Sequence, residues 1–172
     1  IIVCLNLGIK IKIIKKALLK FSGVQRRMTK LFEKDNNEFY DDYAHHPTEI
    51  YSVLEGIKKV SNKKKITSVF QPHRFSRVNF LLKEFSKSFK FSDRVVLCPV
   101  YAAGEKNDKT FDLIKFGKMI SFNSKVNVIV VKDENNLKNF FRTNLIKNEI
   151  VIGMGAGSIS NWMRNLEKYL CK

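Results

Sequence analysis

Nine residues, Asp41 to Glu49, read DDYAHHPTE and set two carboxylates, a phenol and two imidazoles beside a proline, in a chain that otherwise draws its polarity from lysine. Side chains of these types move protons, ligate metals or bind hydroxyl groups. The third histidine of the chain, His73, stands in a second dense stretch, QPHRFSR, where Arg74 and Arg77 lie three residues apart. A guanidinium presents a planar fork that matches a carboxylate or phosphate, and a helix starting there would add amides that favour an anion. A further pair, Arg26 and Arg27, sits in SGVQRRMTK. Only seven of the 32 basic residues are arginine, and these two pairs hold four of the seven. The arginine pairs look placed; the scattered lysines look generic.

Each cluster also has a plainer reading. Asp41 and Asp42 can ligate a metal, bind ribose hydroxyls or cap a strand end, and as strand neighbours they face opposite ways, so at most one enters a site. Zinc needs three convergent ligands in a catalytic site, and the adjacent His45 and His46 do not supply them. GMGAGS, Gly153 to Ser158, departs from G-x-G-x-x-G at the third glycine, and only 14 residues follow it. It reads as a tight strand-to-helix turn.

The elements that position these clusters alternate along the chain. Ile11, Ile14, Leu18 and Phe21 recur at helical spacing and predict an amphipathic helix over residues 10–21, ending at SG. KLFEKDNNEFYDDY predicts two short extended pieces around a turn at Asp35 to Asn37. Pro47 opens a helix with Ile50, Val53, Leu54, Ile57 and Val60 on one face. ITSVF (66–70), RVVLCPV (94–100), VNVIVV (126–131) and EIVIGMG (149–155) are apolar strand runs. Between and after them come helix stripes: Phe75, Val78, Leu82, Phe85 and Phe89 in one helix, then helices near 111–121 and 135–145, and a last one with Ile159, Trp162, Met163, Leu166 and Leu170. The fold class is therefore α/β, with right-handed βαβ units and a Rossmann-like, mostly parallel sheet covered by helices on both faces. In such sheets ligands bind beyond the carboxyl ends of the strands. DDYAHHP, QPHRFSR, YAAGE and GAGS all fall there, which places one site on one edge.

An apolar content of 44% with 14 phenylalanines supports a buried core. The net charge of +16 admits nucleic acid, anionic lipid or small anionic substrates as partners. Cys4, Cys98 and Cys171 are odd in number and without CxxC spacing, so neither a disulfide framework nor a zinc ribbon is expected, and a cytoplasmic setting is the default. Lysines interrupt the apolar first 21 residues, so neither a membrane span nor a secretory signal is expected. The opening IIVCLNLG reads like the middle of a helix, and a fragment is expected.

FSGVQRRM, DDYAHHPTE, FQPHRFSR and VYAAGE, in this order and spacing, resemble the carboxyl-terminal part of the Mur ligase family of peptidoglycan synthesis, from the first helix to the end of the chain. Within the family, FQPHRFSR resembles the branch that joins L-alanine to UDP-N-acetylmuramate; the branch that recycles murein tripeptide shares a DD-x-AHHPT-like loop. Ala44 and Phe75 stand where glycine and tyrosine are common.

The resemblance implies an ATP- and Mg2+-dependent ligase that passes through an acyl phosphate, with UDP-N-acetylmuramate, L-alanine and ATP as its ligands. It implies that residues 1–21 are the last helix of a central ATPase domain, 22–30 a hinge linker and 31–172 the amino-acid-binding domain, working with the remaining domains of the same enzyme. By motif, Arg27 would approach the ATP phosphates and Asp42 the nucleotide. Tyr43, His45, His73, Arg74 and Arg77 would surround the alanyl end, the arginines on its carboxylate. No G-x-x-x-x-G-K-[ST] loop occurs in the 172 residues, so these residues alone are expected to be inactive and to hold neither a catalytic residue nor a metal. The competing class, a basic nucleic-acid-binding module, would need aromatic residues exposed between basic ones; here they fall on helix stripes and in strands. No nucleic acid or membrane partner is expected.

Overall fold

A computed structural model describes residues 1–21, 23–61 and 63–171. Ser22, in the stretch expected as a hinge, Asn62, at the head of the NKKK run, and Lys172, the end of the expected amino-acid-binding domain, lie outside the described residues.

The chain begins with two short helices, α1 (Ile2–Asn6) and α2 (Ile11–Leu19), separated at Gly8, whose φ of +74° a residue with a Cβ rarely adopts. The helix expected over 10–21 is thus shorter. Its apolar stripe buries only Ile14 among the described residues, while Ile11, Leu18 and Phe21 stay exposed.

The expected hairpin follows: β1 (Thr29–Lys34) pairs antiparallel with β2 (Asn37–Asp42) through a turn in which Asp35 and Asn36 take positive φ. From there strands and helices alternate: α3 (Pro47–Val60), β3 (Lys65–Phe70), α4 (Phe75–Phe80), α5 (Leu82–Ser86), β4 (Arg94–Leu97), α6 (Leu113–Ser124), β5 (Asn127–Val130), α7 (Glu134–Asn144), β6 (Glu149–Met154) and α8 (Ile159–Leu170). The six-stranded sheet has the order β1-β2-β6-β3-β4-β5, and every pair but β1–β2 is parallel. The mostly parallel α/β architecture read from the sequence is what the chain adopts.

Strand residues alternate between two cores. Ile66, Phe70, Val95, Leu97, Ile150, Ile152 and Met154 pack with the α3, α4, α5 and α6 side chains Ile50, Leu54, Val78, Phe85, Phe116 and Ile120. Val69, Val96 and Val151 pack on the other face with Leu137, Phe141, Ile159, Met163 and Leu166 of α7 and α8. Burial on both faces is why the strands read as continuous apolar runs.

One expectation needs correction. The stripe from Phe75 to Phe89 spans two helices and the turn after them: the chain breaks at Leu81, with φ −111° and ψ 25°, and Phe89 lies beyond the end of α5. Val78, Phe85 and Phe89 still reach one core, so the stripe survives the break.

Candidate anion site at the carboxyl edge of the sheet

Parallel pairing brings the ends of β2, β3, β4 and β6 to one edge, and with them all four motif loops. Gln71 ties two of them together: its Oε1 accepts from the Ile159 amide at 3.0 Å and its Nε2 donates to Ser158 Oγ at 3.0 Å. The GMGAGS turn is tight for the reason the residues imply. A Cβ on Gly155 would lie 2.7 Å from the Gln71 carbonyl oxygen, and its φ is +148°.

The two aspartates part company at the end of β2. Asp41 faces α8, accepts from Ser160 Oγ at 2.5 Å and lies 3.7 Å from Arg26 Nε and 3.8 Å from Arg164. Asp42 is buried, and its two oxygens accept the amides of Met28 at 2.9 Å and Ala44 at 2.8 Å. Both carboxylates are buried, and neither opens outward. Each Asp42 oxygen accepts one backbone amide and keeps further acceptor capacity, but neither faces solvent. As placed, Asp42 clamps the 26–28 segment to the loop after β2.

The arginine pair is divided the same way. Arg26 turns inward, donating to the Gly155 carbonyl at 2.5 Å, with its guanidinium 4.7 Å from the centre of the Tyr43 ring. Arg27 is exposed, its guanidinium 6.0 Å from the same ring, and is the member free to meet an anion.

From Tyr43 a row of rings leads across the loops. Tyr43 meets His45 edge-on at 5.0 Å, His45 meets His73 at 5.9 Å, and His73 stacks on Tyr101 at 5.5 Å with 23° between planes. His45 Nδ1 lies 2.9 Å from the Tyr43 carbonyl oxygen, which only accepts, so Nδ1 carries a hydrogen. Glu49 accepts the amides of His45 and His46 at 3.0 and 3.2 Å and fixes the loop on the start of α3. Burial, despite pushing Glu49 up, is outweighed by those amides and the neighbouring positive groups, which hold its carboxyl below the usual range.

His73, Arg74 and Arg77 converge. Four buried polar atoms lack a hydrogen-bond partner among the described residues: Arg26 Nε and Asp41 Oδ1, which face each other's side chains, and His73 Nδ1 and one terminal nitrogen of Arg77, where the state is costly and ligand groups would relieve it. Arg74 takes φ +69° and ψ +124°, held by its amide bond to the Tyr101 carbonyl at 2.8 Å. Strain of this kind is kept where surrounding structure enforces it, commonly at functional sites. Burial depresses the His73 pKa, and the charges of Arg77, His45 and Arg74 depress it further against the pull of Glu105. The imidazole is therefore neutral near pH 7, while the guanidinium groups beside it carry the positive charge.

The start of α4 does not add what the sequence promised. Its Ser76 amide and hydroxyl are taken by the Glu105 carboxylate, the amide at 3.2 Å. Sequence reasoning placed VYAAGE at this edge but gave no role to Tyr101 or Glu105, and it did not find the inward role of Arg26. A hollow of about 410 Å3 beside α4 and α6, floored by Leu82, Phe111 and Phe116, contains none of the converging groups. The unpartnered nitrogens of His73 and Arg77, not that hollow, mark the site. Among the described residues no group of three or more His, Cys, Asp or Glu side chains could hold a metal ion.

Residues 26–157 match the family described as Mur ligase, glutamate ligase domain. The chain belongs to this family. Among relatives of this Mur ligase domain, the UDP-N-acetylmuramate–L-alanine ligase of Pelagibacter ubique is 48% identical over 170 residues, covering 99% of this chain and 37% of that protein. The crystal structure of the UDP-N-acetylmuramate-alanine ligase of Thermotoga maritima superposes with a TM-score of 0.75 at 29% identity, over 98% of this chain and 35% of that one. A murein peptide ligase from Psychrobacter arcticus shares the fold, with a TM-score of 0.70 at 19% identity over 90% of this chain and 32% of that one. The chain thus spans about a third of the length of the proteins it matches.

Proposed function

We propose that this chain is the amino-acid-handling part of an ATP-dependent ligase that joins L-alanine to UDP-N-acetylmuramate. The observation that carries the reading is the pair of unpartnered buried nitrogens on His73 and Arg77, with Arg74 beside them, in a domain 48% identical to a protein so named. A carboxylate is the anion that fits: it accepts from a guanidinium fork and from a neutral imidazole N–H at once. Tyr43 and His45 wall the same space, where the small alanyl group would lie.

Bound ATP and magnesium would supply the activation of the muramate carboxylate. One exposed guanidinium, Arg27, is placed to meet a phosphate, and Asp42 serves the nucleotide side indirectly, by fastening the segment that carries Arg27. The site is an open edge rather than a closed cavity, as fits one half of a site completed by another domain. Closure over it would keep water from an activated carboxyl group. Residues 1–21 fit a segment of the neighbouring domain, 22–30 a hinge and 31–172 the amino-acid-binding domain. The working place is the cytoplasm, where ATP is available; no described helix is long and apolar enough to cross a membrane.

The sheet is covered on both faces, so no strand face is open for stacking nucleic-acid bases. The murein tripeptide reading is weaker, since that likeness rests on 19% identity.

The test is a chimera in which this chain replaces the matching part of the Pelagibacter ubique ligase. Arg77→Ala should lower kcat/KM for alanine by about ten- to a hundredfold, since a charge-assisted hydrogen bond contributes roughly 1.5–3 kcal/mol. Arg74→Lys should also impair it, because an ammonium cannot reproduce the fork. ATP binding without alanine should hold. Normal alanine saturation in both variants would remove the carboxylate assignment, and lost ATP binding would reassign the pair to phosphate.

A further inference from the structure

We infer that Tyr101 is a positioning residue of this site: its ring, held between the His73 imidazole and the Gly157 backbone, fixes the orientation in which His73 presents Nδ1 to the ligand. The inference rests on the reading of His73 and Arg77 as a carboxylate site.

His73 needs such a support. Its Nδ1 makes no hydrogen bond, so packing against rings is what orients the imidazole there. Two rings touch it: His45 edge-on at 5.9 Å and 65°, and Tyr101 nearly parallel at 5.5 Å and 23°. The parallel contact covers a ring face and so resists rotation about the Cβ–Cγ bond more than an edge contact does.

Tyr101 is itself held rigidly although it is 41% exposed. Its amide donates to the Pro72 carbonyl at 2.8 Å, and its carbonyl accepts from the Arg74 amide at 2.8 Å. These bonds form an isolated parallel bridge between His73 and Tyr101, which sets the two residues in register. Behind the ring lies Gly157, where a Cβ would fall 2.5 Å from Tyr101 Cγ. No side chain fits between them, and the ring has nowhere to retreat. The same bridge holds Arg74 in its strained conformation, so one residue of the β4 loop orders two members of the anion site. The work is done by the ring face and the backbone; the hydroxyl takes no part.

The test uses the 172-residue chain, whose three histidines make ring resonances assignable by NMR. In the folded protein burial keeps the His73 pKa low, with Arg77, His45 and Arg74 adding to it and Glu105 opposing. Tyr101→Ala should uncover one face of the ring and raise the His73 midpoint by about half a pH unit. It should also weaken the response of His73 to N-acetyl-L-alanine, used as carboxylate probe, by about fivefold. Tyr101→Phe should match the parent in both. Tyr101→Leu, which keeps apolar cover without a flat ring face, should leave the midpoint near the parent's yet weaken the probe response as alanine does, and serves if Tyr101→Ala fails to fold. An unchanged His73 midpoint in the alanine variant, a parent-like probe response in the leucine variant, or a phenylalanine variant that behaves like alanine overturns the inference. A probe that leaves His73 of the parent chain untouched overturns the carboxylate reading instead, and the midpoint still decides the role of Tyr101.

Discussion

Arg94 Nη2 lies 2.9 and 3.1 Å from the two carboxylate oxygens of Glu149, at the amino edge of the sheet, opposite the anion site. The remaining guanidinium nitrogens are also used: Nε donates to Thr67 Oγ1 at 2.7 Å and Nη1 to the Asn144 carbonyl at 2.8 Å, while the Thr67 hydroxyl also donates to Glu149. The group joins the amino-terminal ends of β3, β4 and β6. Removing one partner leaves the other charge buried and unpaired, which costs about 3–5 kcal/mol. Glu149→Ala should therefore lower the urea midpoint sharply while His73 of the surviving folded fraction titrates as before. A loss under about 1 kcal/mol would show that the pair is solvated.

Asp42→Asn tests the clamp. An amide side chain can accept from only one of the Met28 and Ala44 amides and turns an N–H toward the other, so a loss of about 1–3 kcal/mol is expected. Hydrogen exchange should quicken first at Met28 and Ala44. In the chimera, ATP use should weaken while UDP-sugar binding stays. Protection at Met28 equal to the parent's would mean that the carboxylate is not what holds the segment.

Acid should act through His73. Its folded pKa is depressed below the ordinary 6.5, so the unfolded chain takes up the proton first. The contribution is complete above about pH 6.5 and is lost as pH falls through the folded value. Arg77→Gln removes one of the depressing charges and should raise the midpoint seen by NMR. A parent midpoint at or above 6.5 contradicts the arrangement.

Gly153, at the end of β6, and Gly155 and Gly157, in the turn before α8, should rank by what an added methyl meets. Gly153→Ala places Cβ 2.4 Å from Met163 Cγ, on a flexible side chain that can shift. Gly157→Ala meets the Tyr101 ring at 2.5 Å, and Gly155→Ala meets the Gln71 backbone at 2.7 Å with φ at +148°. Thermal melts should show the loss growing from Gly153 to Gly157 to Gly155, the last by more than about 1 kcal/mol. A Gly155→Ala variant as stable as the parent would mean that the turn relaxes.

Local pattern was enough for much of this protein. Apolar runs such as ITSVF and EIVIGMG, and stripes such as Ile50, Leu54 and Ile57, follow from the two backbone periodicities, so the parallel sheet and the edge that collects the loops were legible before any coordinate. The stripe from Phe75 to Phe89 shows the limit of that reading: spacing records which face is buried, not whether the backbone is continuous, and Leu81 breaks it without disturbing the face. At the site, residue types named the chemistry but not its distribution. Arg26 and Arg27 are equal in sequence; contact with Gly155, 129 positions away, turns one inward and leaves the other free. Asp42 was legible as an acceptor, yet only folding decided that backbone amides would occupy it. Tyr101 gave no signal of its own, because stacking on His73 needs the ends of β3 and β4 side by side. Which polar atoms lose water, and which of those are left without a partner, depends on segments distant in the chain meeting in space, and that is a property of the tertiary structure alone.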